Sequence, residues 1–323
     1  MNQKNKIAFI TGITGQDGAY LGELLLKNGY EVIGLVRNSE NITIKKLDYL
    51  GITSKILFEE CNLLDISNIV NLINKYKPSE IYNLASQSSV GASFQHPIGT
   101  LNFNIISVAN LLESIKMIDK TIKFYQASSS EMFGSANQLP FQENSIVHPV
   151  SPYGISKASA HWITVNYRES FGLFTTSGIL FNHESVLRGD NFIIKKIIRT
   201  SLEIKNGTKE VLEVGNIDIK RDFGYAPKYV EAMYKMMQHD KPDDYIISSG
   251  ASLSIREIIY YIFDKLQINK DKIMINSEFL RPNEIKNIYG DARKAREQLN
   301  WDYDMNFFEV LDILIDEEIK TKG

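Results

Sequence analysis

The chain has 323 residues, enough for one large or two ordinary domains with a sizeable buried core. Hydrophobic residues make up 43% and charged residues 23%, an ordinary globular composition, and the formal net charge of −3 gives no electrostatic footprint for nucleic acid. No apolar run reaches the roughly 18 residues of a membrane span, and the single cysteine, Cys61, excludes an internal disulfide and a cysteine-based zinc cluster.

The N-terminal "MNQKNKIAFITG" enters a strand pattern almost at once and leaves no room for a signal peptide, so a soluble cytoplasmic protein is expected, with no metal centre. "KIAFIT" (6–11) reads as a buried strand, "AYLGELLLKNG" (19–29) as a helix closed by glycine, and "EVIGLVR" (31–37) as the next strand. Between the first strand and the first helix, "ITGITGQDGAYL" (10–21) sets Gly12, Gly15 and Gly18. Glycines in that strand–turn–helix context let the backbone approach a pyrophosphate, which then sits at the positive end of the helix. An acid at the end of the second strand would mark an NAD site; here Arg37 stands there, and a guanidinium suits a 2′-phosphate. NADP is therefore the expected cofactor, with NAD left open by the nearby Glu40.

Further strands are read at "KILFEE" (55–60), "EIYNLA" (80–85), "IKFYQAS" (122–128) and "FTTSGIL" (174–180). Helices are read between them at 66–76, 105–117 and 157–172. "CNLLD" (61–65) sets Asn62 and Leu63 against an adenine ring, with Cys61 as a small buried neighbour. Strands alternating with helices predict a parallel sheet covered on both faces: an α/β protein with a Rossmann-type doubly wound sheet. Beyond about residue 182 the pattern becomes mixed, which predicts a smaller α/β lobe. The expected division is 1–181 for the NADP-binding domain, with 216–245 returning to it, and 182–215 with 246–323 for a nucleotide-sugar lobe. The cleft between them is the natural ligand site.

"SPYGISK" (151–157) puts Tyr153 and Lys157 four apart at a helix start, where they are neighbours. The spacing GxxGxxG, the pair Tyr153-x-x-x-Lys157 and "NLAS" (83–86) together resemble the extended short-chain dehydrogenase/reductase superfamily. The resemblance implies that Tyr153 transfers a proton while Lys157 lowers its pKa and holds the nicotinamide ribose, with Ser129 bonded to the same substrate hydroxyl. A free phenol near pKa ~10 is a poor base at neutral pH, and a nearby ammonium favours the phenolate. Gln16 and Asp17 in the glycine turn, and Leu84 and Ala85 in the NLAS motif, are expected at the cofactor.

"YQASSSEMFG" (125–134) narrows the reaction, because Glu131 follows Ser128, Ser129 and Ser130. Oxidation of a sugar at C4 makes the C5 proton acidic, and a carboxylate can remove it as the C6 hydroxyl leaves. An epimerase or simple reductase needs no such base. Farther on, "NHES" (182–185), "RGDNF" (188–192), "GNIDIKRDFGYAPKYVEAM" (215–233) and "RPNEI…YGD" (281–291) resemble the GDP-mannose 4,6-dehydratase family along essentially the whole chain. That resemblance implies a GDP-hexose substrate, with Asn182 and Lys196 on the nucleotide sugar, Arg221 and Arg281 on the diphosphate, and Glu284 on the guanosine ribose. Ser88, Ser130 and Arg188 are also expected at the substrate, and His183 as a hydrogen-bonded structural histidine.

Two departures qualify the match. Ser129 stands where the family carries threonine, and "ESVLRGDNF" (184–192) replaces Glu-Ser-Pro-Arg-Arg-Gly, leaving Val186, Leu187 and Arg188. In the family that loop helps build a tetramer, so a homodimer through two helices per subunit is expected, with a tetramer as the alternative. The same departures favour GDP-N-acetylglucosamine slightly over GDP-mannose, as in relatives on routes to legionaminic acid. The competing readings are a 4-epimerase or 4-keto reductase of the same fold, and a non-catalytic nucleotide-binding regulator.

Overall fold

The computed structural model describes residues 6–40, 42–135, 138–280 and 283–322. The first half alternates strands and helices: β1 (Ile7–Thr11), α1 (Gln16–Lys27), β2 (Glu31–Val36), α2 (Lys45–Tyr49), β3 (Ile56–Glu60), α3 (Ile66–Tyr76), β4 (Glu80–Asn83), α4 (Val90–Gln95), α5 (Pro97–Ile118), β5 (Lys123–Ser129), α6 (Pro152–Phe171) and β6 (Thr175–Leu180). The second half runs β7 (Asn182–Glu184), α7 (Ile193–Lys205), β8 (Leu212–Val214), β9 (Lys220–Tyr225), α8 (Ala226–Gln238), β10 (Asp244–Ile247), β11 (Ser252–Ser254), α9 (Ile255–Leu266), β12 (Ile273–Ile275), β13 (Asn287–Ile288), α10 (Arg293–Leu299) and α11 (Phe307–Lys322).

Seven strands form one parallel sheet in the order β10-β6-β5-β4-β1-β2-β3. Its central strands are apolar on both faces, as a sheet covered by helices on each side requires. Ala8, Phe9 and Ile10 are all fully buried, Ala8 and Ile10 under α1 and α8, Phe9 under α3 and α5. The expected doubly wound Rossmann-type sheet is thus present. Strand order reverses between β1 and β4, and in such sheets ligands bind in the crevice at the carboxyl ends of the strands beside that point.

A polar ladder crosses that crevice. Thr11 Oγ1 donates to Asn83 Oδ1 at 2.6 Å, Asn83 Nδ2 donates to Gln126 Oε1 at 2.9 Å, and all three side chains are buried. Thr11 Oγ1 also accepts from the backbone N–H groups of Leu84 and Ala85, fixing the chain as it leaves β4.

A second core forms around α7, α9 and α11, from residues such as Ile197, Ile258, Phe263 and Val310. A small sheet β11-β9-β13, with β7 paired to β9, lies between this core and the crevice. The chain returns to the main sheet over a narrower stretch than 216–245. Lys220–Tyr225 belongs to the small sheet, because Phe223 is anchored in the second core and stacked on Phe307 with centroids 5.0 Å apart. The return is made by α8, packed on α1, and by β10, which pairs with β6. Among the described residues, no helix is long and apolar enough to cross a membrane.

Candidate active site

The turn between β1 and α1 is closed around its glycines. Gly12 has φ +71°, and a Cβ there would lie 2.9 Å from the Ala85 nitrogen; a Cβ on Gly18 would lie 2.3 Å from the Gly12 carbonyl oxygen. Gly15 caps α1 without any side-chain hydrogen bond, so the helix presents its first N–H groups to whatever the turn holds. Gln16 is buried, and Asp17 lines the cavity described below. Gln16 Nε2 donates to the His183 carbonyl, Gln16 Oε1 accepts from Ser185, and Asp17 Oδ2 lies 2.9 Å from His183 Nε2. Burial raises the Asp17 carboxyl, but the charge and hydrogen bond of His183 outweigh it and bring the pKa down to about 2. Asp17 is therefore committed to His183, whose Nδ1 lies 2.7 Å from the Phe181 carbonyl oxygen, as a hydrogen-bonded structural histidine should be.

At the far end of the crevice Arg37 is exposed just after β2, with its guanidinium 5.5 Å from the Phe103 ring. Asn62 is exposed, and its Oδ1 accepts from the Leu64 N–H. Leu63 departs from expectation: its side chain is buried in the core with Ile33, Val108 and Leu112, so only its backbone can face an adenine.

The opposite end opens into a cavity of about 660 Å³. Leu84, Ser88, Ser129, Glu131, Tyr153 and Lys157 all line it, and so do Asn182, Arg188, Lys196, Arg221 and Glu284. Ser130 is absent from the wall. It starts a short 3₁₀ turn (Ser130–Met132) and is buried behind it, while Ser129 caps the turn by accepting from the Glu131 N–H at 3.3 Å. Arg281 lies outside the described residues.

Tyr153 enters α6 one residue after Pro152, with Ser151 as its N-cap; Ser151 Oγ accepts from the Gly154 N–H at 3.0 Å. Gly154 has a steric reason. A Cβ there would come 2.7 Å from the Glu131 carbonyl oxygen and 3.1 Å from Pro149 Cβ, so the missing side chain lets the turn carrying Glu131 rest on the helix carrying Tyr153. Alanine at an open helical position stabilises by up to about 1 kcal/mol, but overpacking costs about 1–3 kcal/mol. Gly154→Ala should therefore lower the urea midpoint and activity together, whereas Gly99→Ala in α5, with open space at its Cβ, should raise the midpoint.

Burial pushes the Tyr153 phenol up to about 12, against a hydrogen bond from Ser129 and the charge of Arg188, which lower it. Lys157 of the expected pair stands beside this ring. Lys157 Nζ donates to the Ala127 carbonyl at 2.9 Å and sits 5.7 Å from the centre of the Tyr153 ring. Burial lowers Lys157 from its usual 10.5 to about 8, opposed by the charge of Asp17. That fall corresponds to a folding penalty of about 3 kcal/mol, present in full below pH 8 and relieved as pH rises from 8 toward 10.5. Lys157→Met, after losing about 1 kcal/mol for the bond to Ala127, should gain about 2 kcal/mol in urea unfolding at pH 7, and less at pH 9.5.

Elsewhere in the lining, Lys196 of α7 lies 3.9 Å from the centre of the Phe279 ring, and among the described residues no carboxylate is within ion-pair distance of it. Arg221 donates to the Ile285 carbonyl at 2.7 Å and to Glu284 Oε1 at 3.1 Å, so these two expected site residues meet each other. Arg188 stacks on Phe192 at 3.7 Å and faces Glu184. In the altered loop, Leu187 is buried in the core beside α1 and α8, and Val186 is half-buried between the two cores; neither lines the cavity. The sequence reading missed Glu184, which "NHES" contained, and Phe279, which stands just before "RPNEI".

A family model described as GDP-mannose 4,6 dehydratase matches residues 9–314. The chain belongs to the GDP-mannose 4,6-dehydratase family. GDP-mannose 4,6 dehydratase 2 of Arabidopsis thaliana is 44% identical over 98% of this chain and 88% of that protein. The human GDP-mannose 4,6 dehydratase is 37% identical over 99% of this chain and 93% of its own length. With family membership comes the enzyme class, a hydro-lyase. The crystal structure of a UDP-glucose 4-epimerase from Thermotoga maritima superposes with a TM-score of 0.87 at 23% identity, covering 98% of this chain and all of that one, so this fold is shared beyond dehydratases.

Proposed function

We propose that this enzyme is a GDP-hexose 4,6-dehydratase, that GDP-mannose is its substrate and that NADP is its cofactor. The observation that carries the reading is the meeting of Ser129, Glu131, Tyr153 and Lys157 in one cavity that Lys196, Arg188 and Arg221 also line. Cations of this kind bind a diphosphate, arginine as a bidentate fork and lysine as a point charge. A product with a ketone at C4 and a deoxy C6 follows from what the acidic and basic groups can do.

The crevice fits a nicotinamide dinucleotide: the uncapped start of α1 suits a pyrophosphate, and the exposed Arg37 just after β2 suits a 2′-phosphate. When bound, the dinucleotide supplies the oxidation at sugar C4 and the later reduction at C6. Tyr153 accepts the proton of the C4 hydroxyl, and Ser129 hydrogen-bonds the same oxygen. Glu131 then removes the C5 proton and returns a proton to the departing C6 hydroxyl. Burial, with the negative charges of Glu131 and Asp17, holds the phenol high, and the positive charge that an oxidised nicotinamide would bring to this site would favour the phenolate.

The ground for a 2-acetamido sugar weakens at the loop, because Val186 and Leu187 pack into cores instead of the cavity wall, and Ser129 keeps its hydroxyl. GDP-mannose, named in the relatives, is therefore favoured. Within this reading the main sheet with α8 and β10 forms the dinucleotide unit, and the second core carries the nucleotide-sugar contacts. A homodimer is proposed through α5 and α6, which pack side by side and leave Ile106 and Trp162 exposed.

Incubation with GDP-mannose and, separately, GDP-N-acetylglucosamine tests the reading by mass: the substrate should lose one water with no net consumption of NADPH. Stoichiometric NADPH oxidation would make the enzyme a reductase, an unchanged mass with inverted C4 an epimerase, and no turnover of either sugar would remove the proposal.

A further inference from the structure

Glu318, toward the end of α11, is a carboxylate only 3% exposed that the proposed chemistry does not use. Its two oxygens hold two cations of α7 that stand one helical turn apart: Oε2 lies 2.6 Å from Lys195 Nζ, and Oε1 accepts from Arg199 Nε at 2.7 Å. Neither cation stops at Glu318. Lys195 Nζ also donates to the Val186 carbonyl at 3.3 Å, and Arg199 Nη1 lies 2.5 Å from Asp190 Oδ2. Val186 and Asp190 stand two residues before and two residues after Arg188, in the loop that joins β7 to α7. Arg188 itself stacks on Phe192 and lines the reaction cavity. A contact that only docked α11 would end at the two cations, whereas these carry it on to both flanks of one arginine.

We propose that Glu318 is a positioning residue: through Lys195 and Arg199 it clamps the loop on either side of Arg188, so that this arginine is set for the diphosphate before the substrate arrives. The proposal rests on the reading of this cavity as a nucleotide-sugar site. A group already held in its binding position loses less freedom when the ligand binds, and the saving appears as affinity. Burial works to raise the Glu318 carboxyl, but its bonds to Lys195 and Arg199 outweigh it and hold the group below its ordinary range, so the clamp is ionised at neutral pH.

Glu318→Gln keeps the shape and removes the charge that holds both cations. It should weaken GDP-mannose binding about tenfold, the worth of one hydrogen bond to a charged group. A helix-docking role would give the same loss whether or not Arg188 is present. A role exercised through Arg188 predicts that Glu318→Gln costs nothing further in an Arg188→Ala background, a coupling that a double-mutant cycle reads directly. Lys195→Met, which cuts the tie to Val186 and leaves Arg199 on Glu318, must show the same coupling, and it decides the matter if Glu318→Gln folds poorly. Unchanged affinity in a folded variant, or equal losses in both backgrounds, overturns the assignment. A wild-type chain that binds no GDP-mannose overturns the dehydratase reading instead, and hydrogen exchange of the 185–192 amides, which needs no ligand, then tests the clamp. Exchange about tenfold faster in Glu318→Gln than in wild type supports it, and equal exchange overturns it.

Discussion

Glu131→Gln should lower turnover of GDP-mannose by roughly a thousandfold, within the range typical of a lost general acid–base group. Glutamine fits the same half-buried turn, since the cap from Ser129 uses the backbone N–H and not the side chain. What disappears is the group that can take a proton from C5 and deliver one to the leaving C6 oxygen. Oxidation at C4 needs Tyr153 and Ser129 but not this carboxylate, so the variant should stall after the first step, and enzyme-bound reduced cofactor should accumulate and be visible in the near-ultraviolet. That stall separates a dehydratase from an epimerase, for which the same substitution would leave turnover nearly unchanged. A variant that turns over at the wild-type rate removes Glu131 from the chemistry.

Tyr153→Phe should abolish the step before that one. A loss of similar size, again roughly a thousandfold, is expected with no reduced cofactor accumulating at any time. The phenylalanine ring fills the same buried space in α6, and the phenol oxygen bonds Ser129 at the cavity wall, so folding and NADP affinity should be preserved. The pH dependence carries a sign. The phenol must be deprotonated to act as a base and sits near 12 without cofactor, so wild-type activity should rise with pH up to the apparent pKa of the loaded enzyme. NADP-loaded enzyme should bring that pKa well below 12, measurable from the absorbance of the tyrosinate in wild type minus Tyr153→Phe. An identical tyrosinate titration with and without NADP would contradict the role given to the nicotinamide charge.

The parts legible in sequence are those where one backbone requirement demands one residue type. Gly12 needs a positive φ against the Ala85 nitrogen, and helical spacing makes Tyr153 and Lys157 neighbours, though their role rests on the resemblance. The long buried strands β1, β5 and β6 read as such because a parallel sheet is apolar on both faces. The second lobe was read only as mixed, since β7, β8, β11, β12 and β13 have two or three residues each and carry no periodicity to detect. The buried side chains of Leu63 and Ser130 follow from the turns that carry them past β3 and β5, and sequence order alone does not say which way such a turn faces. The ladder Thr11–Asn83–Gln126 joins positions far apart in the chain, and each member taken singly is an ordinary strand polar residue. In the Val186–Leu187 departure, that Leu187 turns inward to the core is likewise a property of the packed fold. The high Tyr153 pKa depends on how deeply the phenol is buried, a property of the packed fold.

The most direct test of the chemistry is the mass and isotope pattern of the product formed from GDP-mannose in deuterium oxide. A carboxylate that strips C5 and a solvent-exchanged proton that refills it predict a product lighter by one water and carrying one deuterium at C5, with NADPH unchanged. A dehydrated product with no deuterium at C5, or a product of unchanged mass, would contradict the assignment of Glu131 and Tyr153 as successive proton-transfer groups.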